Sequence, residues 1–263
     1  MTPQPRLRLE GKVCIVSGAG SRGAGIGTGR AAALLFAREG GRVLVVDQDE
    51  DAATATAEMI GAEGGASAVF VGDMTHEDDA RRMVDAALER WGRVDVLDNN
   101  IGVQQFGTVV TASVDDWDRA FALNVKATVL ASKYAIPAMA ASGGGSIVNI
   151  SSIAGFRPRG GNAPYAMTKG AVVPLTRTMA IDHGPDGIRV NAVIPGPIFT
   201  PMAEAEGVEE RRQQRVSASA IKRVGDGWDV ANAALFFASD ESRYVTGAVL
   251  PVEGGVMVRT PDR

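Results

Sequence analysis

Short apolar runs alternate with longer mixed stretches along this chain. The runs are Val13–Val16, Val43–Val46, Ala68–Val71, Val94–Leu97, Ile147–Ile150 and Ile188–Ile194. Each is short, rich in Val and Ile and apolar on both faces, as strands inside a parallel sheet are. Helices are predicted between them. Gly29–Glu39 is rich in Ala and Leu, and Asp49–Ala62 opens with acidic residues, where a helix dipole favours them. Glu77–Arg90 begins acidic and ends basic, and Ser113–Ala141 opens with an N-cap Ser113 and Asp116 at N3, a weak capping box. Strand and helix in strict alternation predict a Rossmann-like, doubly wound parallel α/β sheet of about seven strands, with helices on both faces. No composition break divides it, so residues 1–263 are read as a single domain. The polar, weakly patterned segment 202–223 is read as a helical excursion that serves as a substrate lid.

Composition narrows the function. At 263 residues with 45% hydrophobic and 22% charged residues, the chain can bury a sizeable core. A net charge of −4 and 5% aromatics argue against nucleic acid as a partner. The single cysteine, Cys14, excludes an intrachain disulfide, and two distant histidines, His76 and His183, argue against a metal site. No stretch approaches the ~18 apolar residues of a membrane span, and the N-terminus lacks the apolar core of a signal peptide. A cytoplasmic protein is expected.

The first strand runs into a glycine-rich stretch, Ser17 to Gly29, and then a helix. Glycines there let backbone N–H groups approach a pyrophosphate, and the helix N-terminus adds partial positive charge. Asp47 ends the second strand, where a carboxylate can accept both ribose hydroxyls of an adenosine and would repel a 2′-phosphate. This favours NAD over NADP, with Arg22 and Arg42 as nearby charges that soften the preference. A helix-capping acid is the other reading of Asp47.

Tyr165 and Lys169 stand four residues apart, on one face of a predicted helix. A phenol with pKa near ~10 is a poor base at neutral pH, and a neighbouring ammonium lowers that value. Alone, such a pair is ordinary packing with a solvated cation; its company changes the reading. Ser152 closes the strand Ile147–Ile150, thirteen residues before Tyr165, and strand ends are where open α/β sheets bind ligands. Asn124 interrupts an apolar stretch and needs polar partners.

With these residues in order, the chain resembles the short-chain dehydrogenase/reductase family, with its Y-x-x-x-K pair, over nearly its whole length. The likeness also rests on Gly72-Asp73-Met74-Thr75, on Asn99-Asn100-Ile101-Gly102, on Pro195 to Thr200, and on the tail Tyr244 to Gly255. The resemblance implies an oxidoreductase that exchanges a hydride between a nicotinamide cofactor and a secondary alcohol or its ketone. It implies Tyr165 as general acid/base, Lys169 at the nicotinamide ribose and lowering the Tyr165 pKa, Ser152 orienting the substrate oxygen, and Asn124 supporting a relay water. Cofactor contacts are implied at Gly18, Gly25, Ile26, Gly27, Asp47, Gly72, Asp73, Met74, Asn99, Asn100, Gly102, Pro195, Gly196, Ile198 and Thr200, besides Tyr165 and Lys169. Substrate contacts are expected at Gln104, Ser152, Tyr165 and Phe199. Two departures stand out: the glycine stretch is several residues longer than the family's, leaving its register open, and Ile101 replaces the family's usual alanine.

Arg157 and Arg159, which flank Pro158, are either solvated surface residues or partners of an anionic substrate. Two rival functions remain: a dinucleotide sensor without catalysis, and an epimerase or dehydratase using transient hydride transfer. The absence of G-x-S-x-G argues against a serine hydrolase. Enoyl reductases of similar type generally space their Tyr and Lys more widely. The apolar residues Ala166, Ala171, Val172, Val173, Leu175 and Met179 suggest a face for a second subunit, and similar proteins are often tetramers, so a homotetramer is expected.

Overall fold

A computed structural model describes residues 7–21, 25–200 and 208–259. In chain order the strands are β1 (Val13–Ser17), β2 (Arg42–Asp47), β3 (Ala66–Val71), β4 (Val96–Asn99), β5 (Gly145–Ile150), β6 (Ile188–Pro195), β7 (Ile198–Phe199), β8 (Gly225–Asp226) and β9 (Val249–Val252). The helices are α1 (Thr28–Arg38), α2 (Glu50–Ala62), α3 (Glu77–Trp91), α4 (Val114–Phe121), α5 (Ala127–Ala141), α6 (Ala163–His183), α7 (Val208–Ala218) and α8 (Gly227–Ala238). Seven strands form one parallel sheet in the order β3-β2-β1-β4-β5-β6-β9, and β7 and β8 pair separately.

Alternation along the strands divides the core in two. On β1, Cys14 and Val16 face one layer and Val13 and Ile15 the other. The first layer packs Phe36 of α1, Ile60 of α2 and Phe237 of α8; the second packs Met83 of α3, Met139 of α5 and Met179 of α6. Burying each such side chain contributes about 1.5–3 kcal/mol, so both layers hold the sheet between them. Chain direction from β1 runs outward to β2 and β3 on one side and to β4 on the other. The crevice above β1 and β4 is thus the switch point where such sheets bind ligands.

Three expectations are corrected. β3 is not buried on both faces: it is the sheet edge, and Val69 and Val71 are exposed. The stretch from Ser113 is two helices, α4 and α5, joined by a π-helical turn at Ala122–Lys126. Ser113 does cap α4 reciprocally with Asp116. Of the apolar residues on α6 expected to face a second subunit, Val172, Val173 and Met179 are buried within the chain, whereas Ala166, Ala171 and Leu175 are half-buried. Of the expected lid, 202–207 lie outside the described residues; α7 supplies a helix over much of the rest.

Candidate active site

The cleft over β1 and β4 is shaped by missing side chains. Gly29, in the first turn of α1, lies so close to the end of β1 that an added Cβ would meet the Gly18 carbonyl oxygen at 2.0 Å. Gly18 has a positive φ of 72°, and its own Cβ would press on the Ile101 backbone at 3.0 Å. Only backbone therefore fits where β1, α1 and the end of β4 converge. α1 starts at Gly27 with no side-chain cap and no acidic residue in its first turn, whereas α2, α4 and α8 are capped by Asp49, Ser113 and Asp226. Its N–H groups remain available at the cleft, which Gly18, Gly20, Gly27, Thr28 and Gly29 line.

Opposite this loop stand Asp47, Gly72, Asp73 and Met74 at the ends of β2 and β3, and Asn100 and Gly102 beyond β4. Asp47 accepts hydrogen bonds from the Gly20 N–H at 2.9 Å and the Asp49 N–H at 3.2 Å. It does not cap α2; Asp49 does. Asp73 accepts from the Thr75 N–H at 2.9 Å and hydroxyl at 2.8 Å. Asn100 donates to Asp98 at 2.9 Å, and its Oδ1 is buried without a partner.

Four reacting candidates converge beyond Gly102. Asn124 sits in the π-helical turn, a distortion common at functional sites. Its Oδ1 accepts from the Val103 N–H at 2.7 Å, and its Nδ2 donates to the Val103 carbonyl at 3.1 Å and the Thr168 hydroxyl at 2.9 Å. Tyr165 and Lys169 share one face of α6. The Lys169 ammonium, buried, donates to the Ile150 carbonyl at the end of β5 at 2.8 Å, and the Ser151 hydroxyl donates to the Lys169 carbonyl at 2.7 Å. Burial pulls the Lys169 pKa down to about 8. Ser152 begins a 3₁₀ turn after β5; its hydroxyl accepts from the Ala154 N–H at 3.2 Å and neighbours the Tyr165 phenol.

The Tyr165 phenol is raised above its ordinary pKa because burial outweighs the lowering effect of the neighbouring Ser152 hydroxyl. This differs from the expected lowering by Lys169, whose ammonium is turned onto the Ile150 carbonyl. Gly102 joins the two halves: it lines the cleft, and a Cβ on it would lie 2.9 Å from Lys169 Nζ and 3.3 Å from Asn124 Oδ1.

Comparison with known proteins agrees with this geometry. A family profile described as Enoyl-(Acyl carrier protein) reductase matches residues 23–257. The chain is 38% identical to a 2,5-dichloro-2,5-cyclohexadiene-1,4-diol dehydrogenase of Sphingobium indicum, covering 94% of this chain and 97% of that one. It is 36% identical to meso-2,3-butanediol dehydrogenase of Serratia marcescens, covering 95% and 96%. A solved structure from Burkholderia xenovorans, provisionally named a short-chain dehydrogenase/reductase, superposes with a TM-score of 0.91 at 39% identity, covering 96% of this chain and 99% of the other. The chain belongs to the short-chain dehydrogenase/reductase family. As a member it is an oxidoreductase exchanging a hydride between a nicotinamide cofactor and a CH–OH group, a secondary alcohol or its ketone. A dinucleotide suits what this short-chain dehydrogenase/reductase presents: a backbone-only cradle, an uncapped helix start, carboxylates at the ends of β2 and β3, and the unpartnered Asn100 oxygen.

Not every expected residue of this short-chain dehydrogenase/reductase lines the cleft. Asn99 is buried beneath it and donates to Asn149 at 2.9 Å, bracing β4 against β5. Pro195 ends β6 and Gly196 follows it, a Cβ on Gly196 meeting Glu253. Ile198 lies on β7 against Gly225, beside Phe199, and Thr200 reaches the cleft. The Gly25 carbonyl accepts from Arg30, Ile26 packs against the first core layer, Gln104 is exposed, and Arg22 lies outside the described residues.

Sequence reasoning missed Arg30, Thr56 and Asp98. Arg30, buried in α1, donates to the carbonyls of Gly25 at 3.0 Å and Ala52 at 3.2 Å and to the Thr56 hydroxyl at 2.9 Å. It ties the lengthened glycine loop to α2, and the signal was a charge within an Ala-rich helix. Asp98 is fully buried on β4, and burial pushes its carboxyl up to about 7 despite the Asn100 hydrogen bond. An acid within an apolar strand was its signal. Arg119 and Leu123, from α4 and the π-helical turn, also line the cleft.

Proposed function

We propose that this protein is an NAD-linked dehydrogenase of small secondary alcohols in which Tyr165 exchanges the proton of the substrate oxygen. The observation that carries the reading is Gly102, shared between the dinucleotide cleft and the Lys169/Asn124 cluster. When bound, the nicotinamide supplies the hydride acceptor or donor at the carbinol carbon. Ser152, whose hydroxyl neighbours Tyr165, holds the substrate oxygen beside the phenol. Lys169, held by the Ile150 carbonyl, would meet the nicotinamide ribose, and Asn124, with both Nδ2 hydrogens donated and Oδ1 accepting from Val103, fixes the Gly102-Val103 backbone. Because burial keeps the phenol protonated, Tyr165 is poised as an acid toward a ketone, and alcohol oxidation quickens as pH rises.

Asp47 supports NAD. A 2′-phosphate would meet its carboxylate, with Asp49 also lining that end. Arg42 does not relieve this: it starts β2 while Asp47 ends it, about 16 Å away at ~3.3 Å per residue. The diol dehydrogenase and butanediol dehydrogenase names of two relatives support a secondary alcohol as substrate. Exposed Met167 and Ile181 on α6, with Phe121 and Val129 nearby on α4 and α5, support a homotetramer, and α7 supports a lid on the substrate side. A cytoplasmic location fits the absence, among the described residues, of a helix able to cross a membrane.

The test is initial-rate measurement over polyols, sugars, hydroxy acids, steroids and aryl alcohols with NAD and NADP in parallel. NADH formation at least tenfold faster than NADPH formation is expected, and Asp47→Ala should narrow that gap at least tenfold. Faster turnover with NADP would overturn the cofactor assignment. Dinucleotide binding without turnover indicates a sensor, and substrate conversion without net NADH an epimerase or dehydratase.

A further inference from the structure

β4 buries two acids and treats them differently. Asp95 accepts from the Val13 N–H at 2.8 Å and pairs with the Arg93 guanidinium at 2.6 Å. Asp98 lies fully buried, with Val16 of β1 and Val148 of β5 as its register neighbours, both in the first core layer. Among the described residues no cation pairs with its carboxyl, which accepts one hydrogen bond, at Oδ2 from Asn100 Nδ2 at 2.9 Å; Oδ1 has no partner. An acid buried in this way costs stability that an apolar residue of similar volume would not. Such departures from good core chemistry are expected where a site needs them.

The side chain that Asp98 engages lines the dinucleotide cleft. Asn100 follows β4 with its main chain already pinned. Its N–H donates to the Ser17 carbonyl at 3.0 Å, and its carbonyl carbon lies so close to Gly18 that a Cβ there would come within 3.2 Å. What remains free is the amide, whose two ends have similar shape and opposite chemistry: a half-turn exchanges a donor for an acceptor. Asp98 settles that choice. Its Oδ2 takes the Nδ2 end, and Asn100 Oδ1, itself without a partner, becomes the acceptor this side chain has left. Strand alternation puts residues 98 and 100 on the same face, so the contact is built into β4. The phosphates of a dinucleotide offer no donor to such an oxygen; its ribose hydroxyls do.

We propose that Asp98 is a positioning residue of the dinucleotide site, holding the Asn100 amide with its nitrogen to the floor of the cleft so that its oxygen accepts from a ribose hydroxyl of the bound dinucleotide. The inference rests on the reading of this cleft as the cofactor site. Asp98 itself touches no ligand. It removes, before binding, a rotation that Asn100 would otherwise lose on binding, and it keeps the amide from turning a donor toward a ligand group that also donates.

The test is fluorescence titration of NADH and NADPH at pH 8, above the value of about 7 to which burial raises the carboxyl, so that Asp98 acts as an acceptor only. The wild type is compared with Asp98→Val, Asp98→Asn, Asn100→Ala and the double variant Asp98→Val with Asn100→Ala. Val suits a position flanked by Val16 and Val148. Urea unfolding verifies that each variant is folded, and Asp98→Ala takes the place of Asp98→Val if that variant is not. Kd for the tighter dinucleotide should rise at least tenfold in Asp98→Val and less than threefold in Asp98→Asn, which keeps an acceptor. With Asn100→Ala already present, Asp98→Val should change Kd less than twofold, whereas a purely structural role would give the same loss in both backgrounds. Unchanged affinity in Asp98→Val, an equal loss in Asp98→Asn, or a loss that persists beside Asn100→Ala overturns the proposal and leaves the cofactor reading standing. A wild type that binds neither dinucleotide overturns both.

Discussion

The two ends of the cleft are built on opposite principles. At the reacting end polar atoms are met by protein: Asn124 spends its amide on Val103 and Thr168, Lys169 is seated on the Ile150 carbonyl, and Ser151 pins the Lys169 backbone. At the dinucleotide end the shape comes from side chains that are not there, at Gly18 and Gly29, and the Asn100 oxygen waits unpartnered. One end is organised by bonds before anything binds; the other is organised by space that a ligand fills. The first should therefore fail when an atom is removed, and the second when one is added.

The largest effect belongs to the reacting end. Tyr165→Phe removes one oxygen and, with it, the proton carrier, so kcat should fall roughly 10²–10⁴-fold. Dinucleotide affinity, measured by titration, should hardly change, because the glycine loop and Asp47 that line the cleft are untouched. Retention of wild-type kcat would falsify the assignment of Tyr165. At the other end the addition is a single methyl. In Gly29→Ala the new carbon falls 2.0 Å from the Gly18 carbonyl oxygen, and α1 must move off β1. A loss of about 1–3 kcal/mol in urea unfolding is expected, together with at least tenfold weaker dinucleotide binding. Gly61→Ala on α2 is the control: its Cβ meets nothing within 4 Å, and a gain of about 0.5–1 kcal/mol should result. Equal behaviour of the two variants would mean that close approach at Gly29 does not shape the cleft.

This division also explains what was legible in the sequence. The sheet was readable because Val and Ile runs such as Val43–Val46 have few other places to go, and the Tyr165/Lys169 spacing maps directly onto a helix face. β3 misled because an edge strand and a central strand can carry similar apolar residues, and only pairing distinguishes them. The glycine stretch fits several registers as letters. Gly29 stands out only once the distance to Gly18 is known, a fact of packing between two elements. Asn99 was placed at the ligand because its neighbours are there, yet strand alternation turns its side chain down toward Asn149 while Asn100 faces the cleft. The break at Ala122–Lys126 depends on Asn124 finding Val103 and Thr168, partners remote in sequence.

Asp98 tests the contrast from beneath, since it is an acid buried where the space-built end meets β4. Burial holds its carboxyl at about 7, against an ordinary value of 3.8. The folded protein thus keeps a proton between about pH 4 and 7 that the unfolded chain has lost, and stability must fall as pH rises through that window. Above it, the folded state carries an ionised carboxylate with Oδ1 unpartnered. Asp98→Asn removes the charge while keeping an oxygen that can accept from Asn100. The variant should gain stability over the wild type at pH 8 by about 1–2 kcal/mol more than at pH 5, as urea unfolding at the two pH values would show. The opposite sign, a variant losing more at pH 8, would mean that the ionised carboxylate is stabilised where it lies. The floor of the dinucleotide end would then be organised by charge and bonding, as the reacting end is, and the contrast between the two ends would stop at the glycine loop.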